Sequence, residues 1–253
     1  MIFLKSPQEI EIMRAANVIV AEVLVALGER LRAGVTTQEL DAVAEDMTRR
    51  RGAVPAFKGY EVAGRVFPSS VCISINEEVV HGIPSTQRVL RDGDIVGLDF
   101  GVRFQGYYGD AAMTVPVGHA DPQSERLMRA TREALWAGIE QVRVGQRLGE
   151  VSAAIQARVE SDGFSVVRDF VGHGIGKRLH EEPQVPNYGK RDRGVRLRPG
   201  MVLAIEPMVN AGAPEVFVKD DGWTAVTRDG SRSAHFEHSV AVTEQGPYVL
   251  SQL

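Results

Sequence analysis

Asp99, Asp110, His173, Glu206 and Glu237 are the residues of this 253-residue chain best suited by type and setting to do chemistry. They fall in matched contexts. LRDGDIVGLDF (90–100) and LRPGMVLAIEP (197–207) both open on Leu-Arg-x-Gly, run through an apolar stretch and reach an acid, Asp99 in one and Glu206 in the other. YYGDAAMTV and HFEHSVAVT each set an acid, Asp110 or Glu237, close after an aromatic residue and just ahead of an alternating strand pattern. HGI occurs at 81–83 and again at 173–175. Two deliveries of an imidazole and two carboxylates describe a duplicated scaffold around a metal site.

The acids stand where charge is costly. Ile95-Val96-Gly97-Leu98 leads into Asp99 and Val202-Leu203-Ala204-Ile205 leads into Glu206, and short apolar runs bounded by turn residues read as buried strands. A carboxylate ending such a strand must be hydrogen-bonded, paired or bound to a cation, since burying it bare costs several kcal/mol. A single acid of this kind would be read as reaching solvent or an arginine. Several in repeated settings, with a histidine in a glycine-rich turn, favour metal binding.

That inventory is mostly oxygen donors with one nitrogen. Two of the carboxylates can bridge two divalent ions while the others complete each shell. The donor set suits Mn²⁺, Fe²⁺, Co²⁺ or Zn²⁺, and not a thiolate-preferring ion or a cysteine-built structural zinc. Water shared by such ions loses a proton near neutral pH, so the implied chemistry is metal-assisted hydrolysis of an amide or ester. His81, in the place that His173 holds in the second half, and His180 in HGIGKRLHEEP are read as polar groups facing substrate. His119 has no such context and is read as surface. His235 and His238 flank Glu237 and are expected to point away from it, so neither is taken as a ligand.

The elements that must position these groups also come twice. Ser6-Pro7-Gln8-Glu9 is a capping box with proline at the first helical position, and the apolar spacing that follows predicts a helix over about 7–32. Thr36-Thr37-Gln38-Glu39 is a second capping box whose helix ends near Gly52. The grammar recurs 111 residues on: Asp121-Pro122 starts a helix, Gly145 matches Gly34, Glu150 matches Glu39 and Gly163 matches Gly52. Residues 68–83 and 164–175 supply the next strands. The expectation is α+β, a single catalytic domain over 1–253 with pseudo-symmetric halves of about 1–118 and 119–253. Two helix pairs would cover a bent, mainly antiparallel sheet.

Composition is that of an ordinary globular chain, and the formal net charge of −4 excludes a global basic footprint for nucleic acid. Arg49-Arg50-Arg51 is read as a solvated helix end, with RNA or ribosome contact the second choice. The one cysteine, Cys72, excludes an internal disulfide. With no leader or membrane-span pattern at the N-terminus, a cytoplasmic protein is expected, without DNA or membrane partners.

VCISINEEVVHGIP, the Asp99-x10-Asp110 pair, GHGIGKRLHEEP, LAIEPM and HFEHSV together resemble type I methionine aminopeptidase, along essentially the whole chain. The resemblance implies a pita-bread (creatinase/aminopeptidase-like) fold and removal of the initiator methionine from nascent chains whose second residue is small. Two divalent ions per chain (Co, Mn, Fe or Zn) would activate the water that attacks the scissile amide. Asp99 would ligate one ion, Asp110 and Glu237 would bridge both, and His173 and Glu206 would complete the other. Glu206 would also shuttle the proton, His81 would contact the scissile amide and His180 the developing oxyanion. Tyr60, Phe67, Cys72 and Trp223 would line the methionine pocket, and Trp223 reads equally well as a packing residue in a hairpin. EVAGRV, between Tyr60 and Phe67, is longer than the family's connection there. The implied partners are nascent polypeptide N-termini and, transiently, the ribosome; a monomer of the short bacterial form is expected. The rivals are an X-Pro aminopeptidase or proline dipeptidase on the same fold, and a non-catalytic relative that binds partners or RNA.

Overall fold

Each helix begins where a side chain can cap it. The computed structural model describes residues 1–253. Helix α1 spans Pro7–Gly28 and α2 spans Thr37–Arg50, both opened by complete capping boxes. Ser6 Oγ accepts from the Glu9 N–H at 3.2 Å while the Glu9 carboxylate accepts from the Ser6 N–H at 2.8 Å, and Thr36 and Glu39 repeat the exchange. Helix α3 (Pro122–Ile139) is capped by Asp121, which accepts from Gln123 and Ser124. Caps of this kind are each worth about 1 kcal/mol. Helix α4 (Leu148–Ser161) has Arg147 at its N-cap and no side-chain cap. The first helix is shorter than its apolar spacing predicts. Tight bonds from Arg30 and Leu31 back to Leu27 and Gly28 close it, and Leu31 continues the stripe because it still packs on the core beyond the helix end.

The nine-stranded sheet is antiparallel throughout, with strand order Val54–Pro55, Ile95–Phe104, Tyr107–Pro116, Glu237–Thr243, Val202–Ile205, Gly172–Gly174, Glu181–Val185. Cys72–Ile75 adds to the Ile95 strand and Gly246–Val249 to the Glu237 strand. Helices α1 and α2 cover the strands of the first half through Leu24, Leu27, Leu40, Leu98 and Phe100. Helices α3 and α4 cover those of the second through Leu127, Leu135, Ile155, Leu203 and Val240. A third apolar cluster, with Met13, Phe67, Cys72, Ile175 and Val202, spans both halves.

The internal repeat is physical as well as textual. Gly34 N–H donates to Leu90 O and Leu90 N–H to Val35 O; Gly145 N–H donates to Leu197 O and Leu197 N–H to Gln146 O. An isolated bridge joins Thr36 to Val89 in one half and Arg147 to Arg196 in the other. Gly34 and Gly145 sit at φ +91° and +86°, a backbone conformation that favours glycine. The arginine run at 49–51 is an exposed helix end: Arg49, Arg50 and Arg51 pair with Glu45, Asp46 and Glu22 at 2.6, 2.8 and 2.9 Å.

Candidate active site

Sheet register explains why the acids share a face. Asp99 lies opposite Ala112, and Ala112 lies opposite Glu237 on the next strand. Asp110 is two residues before Ala112, so alternation points it the same way. The ten-residue gap between Asp99 and Asp110 is the hairpin that folds Ile95–Phe104 onto Tyr107–Pro116 about Gln105 and Gly106, both at positive φ. Asp110 is opposite Gly101, where an added Cβ would come within 3.1 Å of Asp110 Oδ1. Across the sheet His173 is opposite Ala204. Glu206 is two residues beyond Ala204, just past the strand end.

Close backbone approaches hold this register. Asp110 N–H donates to Asn17 Oδ1 at 3.2 Å, Ser239 Oγ donates to Asp110 O at 2.8 Å, and a Cβ at Gly109 would meet Asn17 N at 2.8 Å. Helix α1 therefore presses on the strand that carries Asp110. Gly172 and Gly174 flank His173, and a Cβ at either would meet a carbonyl oxygen of the neighbouring strands at 2.3 Å. His81 adopts φ +61°, a strained backbone for a non-glycine residue of the kind that gathers at functional sites.

The result is one cavity of about 340 Å³ lined by Asp99, Asp110, His173, Glu206 and Glu237, together with His81, His180, Tyr60, Phe67, Cys72 and Trp223. Asp110, His173 and Glu237 offer ligand atoms within 4.8 Å of one another. Glu206 Oε1 is 3.4 Å and Asp110 Oδ2 3.9 Å from His173 Nε2. His173 Nδ1 lies 2.9 Å from Gly174 O. A carbonyl only accepts, so Nδ1 carries the proton and Nε2 presents a lone pair to the acids.

Burial first, and then the neighbouring acids, push the Asp110, Glu206 and Glu237 carboxyls well above the ordinary carboxylate range; burial lifts Asp99 to about 7. Burial pulls His81 down to about 4 and His173 to about 3, with His180 opposing the charge on both. Asp110 Oδ1 and Glu237 Oε1 are buried without a hydrogen-bond partner. Orphaned acceptors among crowded acids, beside an unprotonated imidazole nitrogen, are what divalent cations satisfy. The donor set fits them.

The cavity wall is aromatic. The Trp223 ring meets Phe67 edge-on at 5.3 Å and His81 at 6.3 Å, and His81 meets Phe170 at 5.6 Å. Tyr60 Oη is 2.6 Å from His180 Nδ1, and the His180 and His173 ring centres are 4.3 Å apart. The EVAGRV segment forms an exposed hairpin, Glu61–Val62 against Arg65–Val66, with Val62 at the cavity. Phe67 N–H donates to Tyr60 O at 2.8 Å, which keeps both wall residues side by side at the hairpin's base.

His119 is exposed, as expected. His238 points away from the site, with Nδ1 2.8 Å from Ser251 Oγ. His235 does not point away. Residues 235 and 237 share a parity, so alternation carries both to one side, and His235 Nε2 reaches 3.7 Å from Glu206 Oε2. Phe170, Val171 and Met208 also line the cavity. They come from loops and strand ends, with no periodic signal to betray them.

A bent antiparallel sheet under two helix pairs, with these donors at its centre, defines the pita-bread class of metal-dependent peptidases. The profile of metallopeptidase family M24 matches residues 11–244. Methionine aminopeptidase 1 of Bacillus subtilis (strain 168) is 49% identical over 253 residues, covering 100% of both chains. The crystal structure of methionine aminopeptidase from Thermotoga maritima superposes with a TM-score of 0.97 at 48% identity, also covering 100% of both. This chain belongs to metallopeptidase family M24 and, within it, to the methionine aminopeptidases. A prolidase from Pyrococcus horikoshii shares the fold alone, at a TM-score of 0.77 and 24% identity; this chain covers 63% of it.

Proposed function

We propose that the protein hydrolyses the first peptide bond of nascent proteins and peptides that begin with methionine and carry a small second residue. The observation that carries this reading is the union, in one cavity, of a crowded acid cluster with orphaned oxygens and a largely apolar, aromatic wall. Asp110 and Glu237 would bridge two divalent ions, Asp99 would complete one shell, and His173 and Glu206 the other. Mn, Fe, Co and Zn all suit the donors. Ions held there would supply Lewis-acid polarisation of the carbonyl and a lowered pKa for water.

The chain's own residues do the rest. Tyr60, Phe67, Cys72 and Trp223 enclose the methionine side chain, whose thioether packs well against aromatic edges. His81 contacts the scissile amide. Tyr60 O–H donates to His180 Nδ1, which leaves the His180 Nε2–H to donate where negative charge develops. Glu206 takes a proton from the attacking water and returns it to the leaving amine. A second groove shares Val171, His173 and His180 with the cavity and runs past Glu182 and Gln184. Residues after the methionine would leave along it, and the second side chain would turn beside the cluster, where room is short.

The reading extends to the whole chain. Residues 1–253 act as a single catalytic domain, because halves 1–118 and 119–253 both supply ligands. The protein works as a cytoplasmic monomer on nascent N-termini, with transient ribosome contact. In support of a reducing compartment, Cys72 is a free, buried thiol with no second cysteine to pair with. The test is kcat/KM on Met-Xaa-Ser peptides beside an Ala-Pro substrate. Met-Ala-Ser is expected to be cleaved and Ala-Pro to resist; the reverse order defeats the proposal.

A further inference from the structure

Glu206 faces two imidazoles with its two oxygens. Oε1 is 3.4 Å from His173 Nε2, and Oε2 is 3.7 Å from His235 Nε2. His173 belongs to the group whose ligand atoms converge, with Asp110 and Glu237, and His235 does not. Glu206 lies outside that group too, but it is the carboxylate that His235 Nε2 reaches within 4 Å, so the path from His235 to the cluster runs through it.

His235 is held as firmly as the ligands are. It is 3% exposed. Its N–H donates to Thr114 Oγ1 at 2.9 Å, and the same hydroxyl donates back to His235 O at 2.8 Å. Thr114 lies on the strand that carries Asp110, and His235 pairs in register with Met208, two residues after Glu206. Its Nε2 is buried with no hydrogen-bond partner. A buried imidazole nitrogen left without a partner is costly, and the Glu206 carboxylate is an acceptor within a small side-chain rotation of bonding distance.

We propose that His235 is a positioning residue for Glu206, its Nε2–H donating to Oε2 so that Oε1 stays turned toward His173 and the cation-holding cluster. The inference rests on the ligand assignment under the proposed function and assigns the buried imidazole a role that assignment leaves open. A carboxylate held from behind in this way has its rotation fixed and its basicity tempered, and loss of such a partner typically weakens metal affinity or activity 10–100-fold.

The test compares His235→Leu, which removes the donor, with His235→Gln, whose amide nitrogen reaches the Nε2 position, and His235→Asn, which is too short to do so. Mn²⁺ binding to the chelated proteins is followed by calorimetry, Met-Ala-Ser turnover by steady-state kinetics, and the fold by urea unfolding without metal. His235→Leu and His235→Asn are expected to bind one of two ions about 10–100-fold more weakly, and to lower kcat with KM nearly unchanged. His235→Gln is expected to stay within about threefold of the unsubstituted protein on both readouts, a rescue that the donor geometry demands. Should His235→Leu misfold, the Asn and Gln pair decides alone. Unchanged ion affinity and kcat in the folded Leu or Asn variant overturn the inference, as does a folded Gln variant as impaired as the Asn variant. Those outcomes leave the proposed function standing. Failure of the unsubstituted protein to bind Mn²⁺ or to cleave Met-Ala-Ser removes that function and the inference together.

Discussion

Asp99→Asn is predicted to make the metal-free protein more stable while spoiling the site. The carboxyl sits opposite Cys72 and Ala112, half-buried at the cavity, and burial lifts its pKa from 3.8 to about 7. Because the folded value lies above the unfolded one, the unfolded chain gives up this proton first as pH rises. The group costs the fold nothing below about pH 4, the cost grows up to about pH 7, and it is complete above that. A rise from 3.8 to about 7 corresponds to about 4 kcal/mol. Water reaching the cavity screens part of this, so a net gain of about 2 kcal/mol is expected for the near-isosteric amide above neutrality. The assay is urea unfolding of chelator-treated proteins near pH 5 and near pH 8, with unchanged m-values. The amide variant should gain under about 1 kcal/mol at the lower pH and about 2 kcal/mol at the higher. Saturating Mn²⁺ should then reverse the order, since a ligand at 100 times its Kd adds about 2.7 kcal/mol to the form that binds it. No gain near pH 8, or the same gain at both pH values, would refute the buried-charge reasoning.

Asp110→Ala or Glu237→Ala should abolish turnover and weaken both ions, whereas Asp99→Ala should chiefly weaken one; calorimetric stoichiometry checks this, and equal single-ion losses in all three would remove the bridging assignment. His180→Ala should lower kcat about 10²–10³-fold with little change in KM and none in metal content, and loss of metal from that variant would make the histidine a ligand instead. Across a Met-Xaa-Ser series, Ala, Ser and Gly at the second position should be cleaved, and Leu, Ile and Arg should resist, because a displacement of about 1 Å from the attack geometry costs about 10²-fold. Comparable rates for Met-Ala and Met-Ile would mark a broader aminopeptidase.

Much of this arrangement is written in local chemistry. Ser6 and Glu9, Thr36 and Glu39, and Asp121 declare their helix starts because a cap is a contact between near neighbours. Asp99 and Glu206 stand out because each ends an apolar run after the same Leu-Arg-x-Gly turn, and the duplication makes either half a check on the other. What the sequence hides is long-range. The end of α1 depends on where Leu31 finds its packing after the helix has stopped. Phe170, Val171 and Met208 reach the cavity only through the curvature of the sheet. His235 is a different case: two residues before Glu237 in extended chain, it could have been placed on the same side by parity, and its bond partner Thr114 lies 121 residues away. The expectation that it pointed outward failed on parity, and its orphaned Nε2 became visible only in the folded molecule.

The central claim is that the five donors lining the cavity hold the divalent ions on which methionine removal depends. The most direct measurement is turnover of Met-Ala-Ser by the chelated protein as Mn²⁺ is titrated in, with binding followed in parallel by calorimetry. The chelated protein is predicted to be inactive and to recover with the first and second equivalents, while an Asp110→Ala, Glu237→Ala double variant stays inactive at every concentration. Full activity after chelation, or recovery of that double variant by added metal, would contradict the assignment.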